Sequence, residues 1–203
     1  MTRPARLSPR DRILAAAPDV LRRTGVAKFG LVEVARHAGV SRQTIYNHFD
    51  RREELLGALL VQEMFAKHLP LQRELGNKPA SPENLVNLLV AELEIGRQYP
   101  LFDDMLDPVN APRVAEIVFN SHAVADAREA AWLPILERYR DVGLLRHGVP
   151  LPEMVRWITY QQFWLLTQPN IVCGDDRDAL MLHIRSFVLP CLIVSVQASA
   201  REG

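Results

Sequence analysis

Cysteine is nearly absent, with Cys173 and Cys191 the only two among 203 residues. That excludes a disulfide scaffold, and neither has the C-x-x-C partner that zinc or redox chemistry needs. Both are expected to be plain buried thiols. Long apolar runs are missing too: the stretch from Phe187 to Val194 is broken by Pro190, and Phe163 to Leu166 is shorter still. Both fall far below the roughly 18 to 20 residues of a helical membrane span. Residues 1 to 20 scatter Arg3, Arg6, Arg10, Asp11 and Arg12 among their apolar positions, which leaves no continuous h-region for a signal peptide. A cytoplasmic protein with no membrane partner is therefore expected. Lysine is scarce as well, since only Lys28, Lys67 and Lys78 are lysine among 24 basic residues, a bias that suggests a GC-rich genome and nothing about function.

The constellations of catalysis are also lacking. His37, His48, His68, His122, His147 and His183 are scattered without ligand spacing, no Gly-rich phosphate loop exists, and no Ser-His-Asp arrangement can be placed. Asp103-Asp104 with Asp107, and Asp175-Asp176 with Asp178, sit beside helix ends, where acids commonly serve as caps. No enzyme, no metal and no cofactor is expected.

What the chain does have is 48% hydrophobic residues, enough to bury a core, and a division of charge. Residues 1 to 55 hold 11 Lys and Arg against 6 Asp and Glu, a net of +5, while 56 to 203 carry a net of −5. A basic front joined to an acidic body points to a nucleic-acid-facing module on something else.

Apolar residues recur at intervals of three and four and no strand-like alternation appears, so the chain is expected to be all-α. Ser8-Pro9-Arg10-Asp11 is a capping box that opens a first helix ending at Gly25, with Ile13, Leu14, Ala17 and Leu21 inside and a kink at Pro18. Short helices follow over residues 31–37 and 42–49. Asp50-Arg51-Arg52-Glu53 opens a long helix through Leu69, stopped by Pro70, before a loop over 70–80. Ser81-Pro82 reopens helix to about Tyr99, and a short helical stretch covers 102–106. Helix from about 112 to 142 is interrupted near Asn120-Ser121 and strained at Pro134. The last two helices are expected over 152–168 and 176–199. The division implied is a helix-turn-helix domain over 1–55 and a helical effector-binding and dimerisation domain over 56–203.

The informative segment is residues 31–49. Ala35 lets two helices cross closely, Gly39 four residues on supplies a left-handed turn, and Ser41 caps the next helix. Ile45 packs back on Val34 and Val40. This is the spacing of a helix-turn-helix, whose second helix enters the major groove of double-stranded DNA.

The residues Ala35, Ala38-Gly39-Val40-Ser41, Thr44-Ile45-Tyr46, His48-Phe49 and Glu53-Glu54-Leu55-Leu56 resemble the pattern of the TetR family of bacterial transcriptional regulators. The resemblance covers about residues 10 to 56, and the 147 residues from 57 to 203 resemble the family only in length, helical character and helix order. It implies that Arg42 and Gln43 read base edges, arginine suiting guanine and glutamine adenine. It implies further that Thr44, Tyr46 and His48 hold phosphates, that Asn47 faces a base or the backbone, and that Arg52 takes the place of the family's lysine at the start of the fourth helix, where the amides add a dipole toward phosphate. With the Ser41 cap these complete the DNA-binding set. The chain departs from the pattern at Gly30, where the family usually has a threonine that caps and touches phosphate, at Val32, where a polar residue is frequent, and at Arg51, which replaces a serine cap that Asp50 is expected to supply.

The acidic body concentrates the aromatics. Trp157, Tyr160 and Trp164 lie on one stripe, either as core or dimer packing or as a cavity wall oriented by Tyr160 or Gln161. Phe65, Phe102, Met105, Phe119, His122 and Trp132 complete the candidate ligand-binding set, on the helices the resemblance associates with effectors. Because few charges occur among them, an apolar or aromatic small-molecule effector is implied. The helices 152–168 and 176–199 are apolar nearly all round and so need cover on both sides. Phe163, Ile184, Phe187, Val188, Cys191 and Leu192 are expected at a two-fold four-helix interface of a homodimer. The expectation is a dimeric, nucleoid-associated repressor released from a near-palindromic operator by its effector; the alternative is a regulator, repressor or activator, with no small-molecule effector.

Overall fold

The computed structural model describes residues 7–98, Met105 and 107–194. The chain divides into two compact units, one from residues 1–64 with 99–125, the other from 65–98 with 126–203. The first unit thus reaches past residue 55 to Met64 and takes in a segment from mid-chain. The all-α expectation holds, and the described residues include one isolated antiparallel bridge, between Leu145 and Ile193.

In the first unit, α1 (Pro9–Lys28) starts at Ser8, whose hydroxyl oxygen accepts from the Asp11 amide at 3.1 Å, with Pro9 in the first turn. The helix keeps helical dihedrals through Pro18 and breaks instead at Gly25 (φ 70°, ψ 164°), a conformation that an L side chain rarely adopts. Its inner face, Ile13, Leu14, Ala17 and Leu21, is buried as the spacing predicts. Then come α2 (Leu31–Ala38), α3 (Arg42–Tyr46) and α4 (Arg52–Glu63). α3 is shorter than expected, because after Tyr46 the chain tightens into a turn in which the His48 amide bonds the Ile45 carbonyl at 3.0 Å. Val34, Ala35, Ile45, Phe49, Leu55 and Leu56 form the centre of this unit. Later in the chain, α7 (Ala111–Asn120) packs on α4 where a Cβ at Gly57 would stand 3.3 Å from Ser121 Oγ.

The second unit begins in a π turn, Met64–His68, that leads directly into α5 (Leu69–Gly76). Pro70 therefore does not stop the helix. It sits in the first turn of α5, where a missing amide costs least, and the irregular loop shrinks to the residues around 77–81. Ser81 caps α6 (Pro82–Arg97) by accepting from the Asn84 amide. α8 (His122–Asp141) follows the interruption at Ser121, runs through Pro134 and ends before Gly143 (φ 72°). Next are α9 (Leu151–Thr167), a short α10 (Pro169–Val172) between the two expected helices, and α11 (Arg177–His183). The helix expected over 176–199 is cut short: a π turn (Ile184–Val188) and a 3₁₀ turn (Leu189–Cys191) lead to the bridge at Ile193, because Pro190 cannot donate to a continuing helix. Residues 195–199 lie outside the described residues, as do 102–104 and 106 of the expected short helix.

The core of this unit joins α6, α8, α9 and the terminal turns through Leu85, Leu89, Leu93, Trp132, Leu136 and Ile158. Ile184, Val188 and Leu192 belong to it, each no more than 1% exposed. That corrects the interface expectation for these three, since a side chain closed off inside its own subunit has no surface to offer a partner. Phe187 (66% exposed) and Cys191 point the other way, and Phe163 is half-buried. The cysteines are corrected too: Cys191 is exposed and Cys173 half-buried beside Arg97, because the turn at Pro190 carries residue 191 away from the inner stripe.

Candidate nucleic-acid interface

Gly39, at φ 64°, makes the turn between α2 and α3, and its amide bonds the Arg36 carbonyl at 3.3 Å. The turn is further fixed by a residue that the sequence reading missed. Arg12, on α1, donates through Nη2 to the Ala38 carbonyl at 2.9 Å and also to the Gly39 carbonyl. Arg10 lies over the Phe49 ring, 5.5 Å from its centroid. Part of the basic excess of the front segment is thus spent inside the unit; only the fold shows which arginines those are.

Ser41 closes the first turn of α3, its oxygen accepting from the Thr44 amide at 3.0 Å and lying 2.8 Å from Thr44 Oγ1. With Ile45 and Phe49 buried, α3 must present its other face outward, and Arg42, Gln43, Tyr46, Asn47 and His48 are exposed there. Gln43 Nε2 donates to Asn47 Oδ1 at 2.8 Å, so the two side-chain amides are joined along the exposed face. Tyr46, 46% exposed, is a surface residue and not core.

Between α2 and α3 lies an open hollow of about 790 Å³ lined by Lys28, Val32, Arg36, Arg42 and Tyr46 among others. Lys28 and Arg36 are basic members that motif reasoning passed over; their signal was position, flanking the start of α2 and ending its last turn. Arg52 sits differently from its expected phosphate role. Its Nε donates to Glu53 Oε1 at 2.8 Å and its Nη1 to the Ala27 carbonyl at 3.3 Å, which leaves part of the guanidinium for a phosphate. The Glu53 carboxyl, though burial raises it, is held below its ordinary value by this hydrogen bond and by the charges of Arg52 and Arg51.

The departures at Gly30 and Arg51 have visible consequences. Gly30 occupies the cap of α2 in extended conformation without a side-chain hydrogen bond, and Arg51, not Asp50, occupies the cap of α4. The α4 start has no side-chain cap hydrogen bond; Glu54 Oε2 reaches back past Arg51 to accept from the Asp50 amide at 2.8 Å. A Cβ at Gly30 would meet only the Lys28 carbonyl, at 4.0 Å. Gly30→Thr is accordingly expected to raise stability by a few tenths of a kcal/mol and to tighten DNA binding severalfold through one added phosphate contact. Binding titrations over a salt series check it; an unchanged affinity refutes the contact.

The exposed recognition helix, its cap and its glycine turn define a helix-turn-helix DNA-binding unit. Residues 13–59 match the model of bacterial regulatory proteins of the tetR family. An uncharacterised HTH-type transcriptional regulator of Mycobacterium tuberculosis is 27% identical over 193 residues, 95% of this chain and 89% of that protein. Among solved structures, RolR in complex with resorcinol superposes with a TM-score of 0.65 at 17% identity, covering 94% of this chain and 89% of that one. The repressor QsdR of R. erythropolis, a TetR-family protein, gives 0.62 at 15% identity, covering 90% and 94%. Over residues 13–59 the chain carries the helix-turn-helix of the tetR family of bacterial regulatory proteins, and its likeness to a transcriptional regulator runs along nearly its whole length.

The candidate ligand-binding residues fall in both units. Met105 is fully buried, Phe119 half-buried and His122 exposed in the first. In the second, Trp132 is core, Trp157 and Gln161 are half-buried, and Phe65, Tyr160 and Trp164 are roughly half exposed. The Trp157 indole Nε1 is buried with no hydrogen-bond partner. Phe102 lies outside the described residues.

What the sequence reading did not anticipate is a polar cluster inside the second unit. Glu92, 2% exposed on α6, accepts from Gln72 Nε2 at 2.5 Å on one oxygen and from Gln162 Nε2 on the other. His68 Nδ1 is 4.0 Å from Glu92 Oε1, and Arg128 faces the same carboxyl electrostatically. Burial pushes Glu92 up to about 7 against those two hydrogen bonds and the Arg128 charge. His68 is pulled down to about 4 by burial, then by Arg128 and Lys67.

Proposed function

We propose that the chain is a homodimeric repressor, with residues 1–55 as the DNA-binding part and 56–203 as the effector-binding and dimerisation part. The observation that carries the DNA-binding half is the outward row Arg42, Gln43, Tyr46, Asn47 and His48 on a capped α3 whose inner residues are buried. Each subunit would place α3 in one major groove of a near-palindromic operator, Arg42 and Gln43 reading bases while Ser41, Thr44, Tyr46, His48 and Arg52 position the backbone. Two half-sites must be matched about one turn apart, roughly 34 to 36 Å, so a small change in the spacing of the two helices releases both.

Release is proposed to follow binding of a largely apolar, aromatic effector within the second unit, with Trp157 and Gln161 beside it. RolR, solved with resorcinol bound, supports a small aromatic effector by fold, and QsdR, a repressor, supports repression. The dimer would form through outward apolar residues of the second unit, Tyr160, Trp164 and Phe187.

Gln43→Ala is expected to cost about 1–3 kcal/mol on the preferred half-site and to relax the preference at one base position. Arg52→Ala should weaken binding evenly across sequences and flatten its salt dependence. Affinity measured against a set of single-base half-site variants separates the two; equal losses from both substitutions on every sequence defeat the assignment.

A further inference from the structure

The polar cluster of the second unit has open hydrogen-bonding positions. Gln72 donates to Glu92 through Nε2, which leaves its Oε1 buried with no partner, and Arg128 Nε is likewise buried with no partner. Gln72, Glu92, Arg128 and Gln162 come from α5, α6, α8 and α9, so four helices of the unit converge on one carboxyl. In the turns on either side of Glu92, α6 buries Leu88, Leu89 and Leu93.

Stability does not account for such a set. A buried ionic group is commonly no better for folding than well-packed apolar residues of the same volume, and each unpaired buried polar atom is destabilising. The orphans are, moreover, of opposite kind: Gln72 Oε1 accepts and Arg128 Nε–H donates. A group that satisfies both must donate one hydrogen bond and accept another, and in an apolar setting the smallest organic group that does so is a hydroxyl. A carboxylate offers no donor to Gln72, and an ether or a hydrocarbon leaves at least one orphan unmatched.

We infer that the cluster around Glu92 is the recognition site for the hydroxyl of a small molecule with an otherwise apolar body, the hydroxyl donating to Gln72 Oε1 and accepting from Arg128 Nε. This rests on the effector-responsive reading above and narrows it. Arg128, pulled down by burial to about 10, keeps its charge at neutral pH and so remains a donor.

The test uses the full-length protein with 4-ethylphenol and 1-hexanol, against the methyl ether of each and 4-ethyltoluene, in calorimetric titrations with and without operator DNA. The hydroxyl compounds are expected to bind at least about tenfold more tightly than their ethers, to shift the side-chain Nε–H resonance of Arg128, and to release operator. Gln72→Leu should erase the preference; if that variant does not fold, the Arg128 resonance of the wild type decides alone. Equal binding of hydroxyl compounds and ethers overturns the inference, and so does a full panel that leaves the Arg128 resonance unmoved. Hydroxyl-selective binding that leaves the operator complex intact would uphold the site and refute effector-controlled release. Operator release without hydroxyl preference would do the reverse.

Discussion

Glutamine in place of Glu92 is expected to turn a nearly level dependence of stability on pH into a rising one. In the folded chain the Glu92 carboxyl titrates at about 7, whereas its ordinary value is 4.5. Between those values the folded state holds a proton that the unfolded state has released, so stability falls as pH rises through the window. His68 works in the opposite sense: it titrates at about 4 when folded against 6.5 ordinarily, so the unfolded state holds the extra proton and stability rises with pH. Each displacement corresponds to about 3 kcal/mol, and the windows nearly coincide. The two slopes therefore cancel, the fold in effect moving one proton from the imidazole to the carboxyl.

Glu92→Gln keeps an acceptor for one of the two glutamines and removes one slope, leaving the histidine's gain of about 3 kcal/mol between pH 4 and 6.5. His68→Asn should show the mirror image, a loss of similar size between pH 4.5 and 7. Urea unfolding at half-unit intervals measures both, and other titrating groups drop out of the difference from wild type. A Glu92→Gln profile parallel to that of the wild type would show that the two groups do not oppose one another.

The helix-turn-helix was legible because its requirements are local. Gly39 needs a left-handed backbone, Ser41 needs the unpaired Thr44 amide, and Ile45 needs a facing Val34, all within a span that sequence spacing fixes. The same holds for the helix start at Ser81 and the stop at Gly143. Reasoning from single residues failed where a neighbour changed the rule. Pro70 continues a helix because a π turn precedes it, and Pro18 lies within regular helix while Gly25 takes the break. The polar cluster was invisible for another reason. Glu92 and Glu94 stand two apart on α6, and nothing local says that Glu92 faces inward while Glu94 pairs with Arg177 at 2.7 Å on the surface. Its partners lie 20 and 70 residues away in sequence, so only the packing of the helices reveals that they meet. Arg12 escaped notice in the same way, its role at the turn depending on carbonyls 26 and 27 residues along the chain.

The terminal helix shows the ambiguity in its sharpest form, since it is apolar on both sides and periodicity alone does not say which side is the core. Phe187→Glu and Val188→Glu differ by one position and are expected to fail in different ways. Val188, 1% exposed, would carry an unpaired charge into the core of its own subunit. An uncompensated buried charge costs several kcal/mol, a large part of the 5–15 kcal/mol by which a domain is folded, so this variant should lose its cooperative unfolding transition. Phe187, 66% exposed and 5.2 Å from the His183 ring, leaves the core untouched when replaced. If it anchors the dimer, its loss is felt twice in a two-fold interface. At about 2 kcal/mol for each anchor removed, the dimer weakens by about 4 kcal/mol, or roughly a thousandfold in dissociation constant. A folded monomer with one recognition helix cannot span two half-sites, and operator binding should disappear with the dimer. Sedimentation with circular dichroism on the same samples distinguishes the outcomes. A Phe187→Glu protein that sediments as the wild type does and still binds operator would move the dimer contact elsewhere on the second unit, with Tyr160 and Trp164 of α9 the next residues to test.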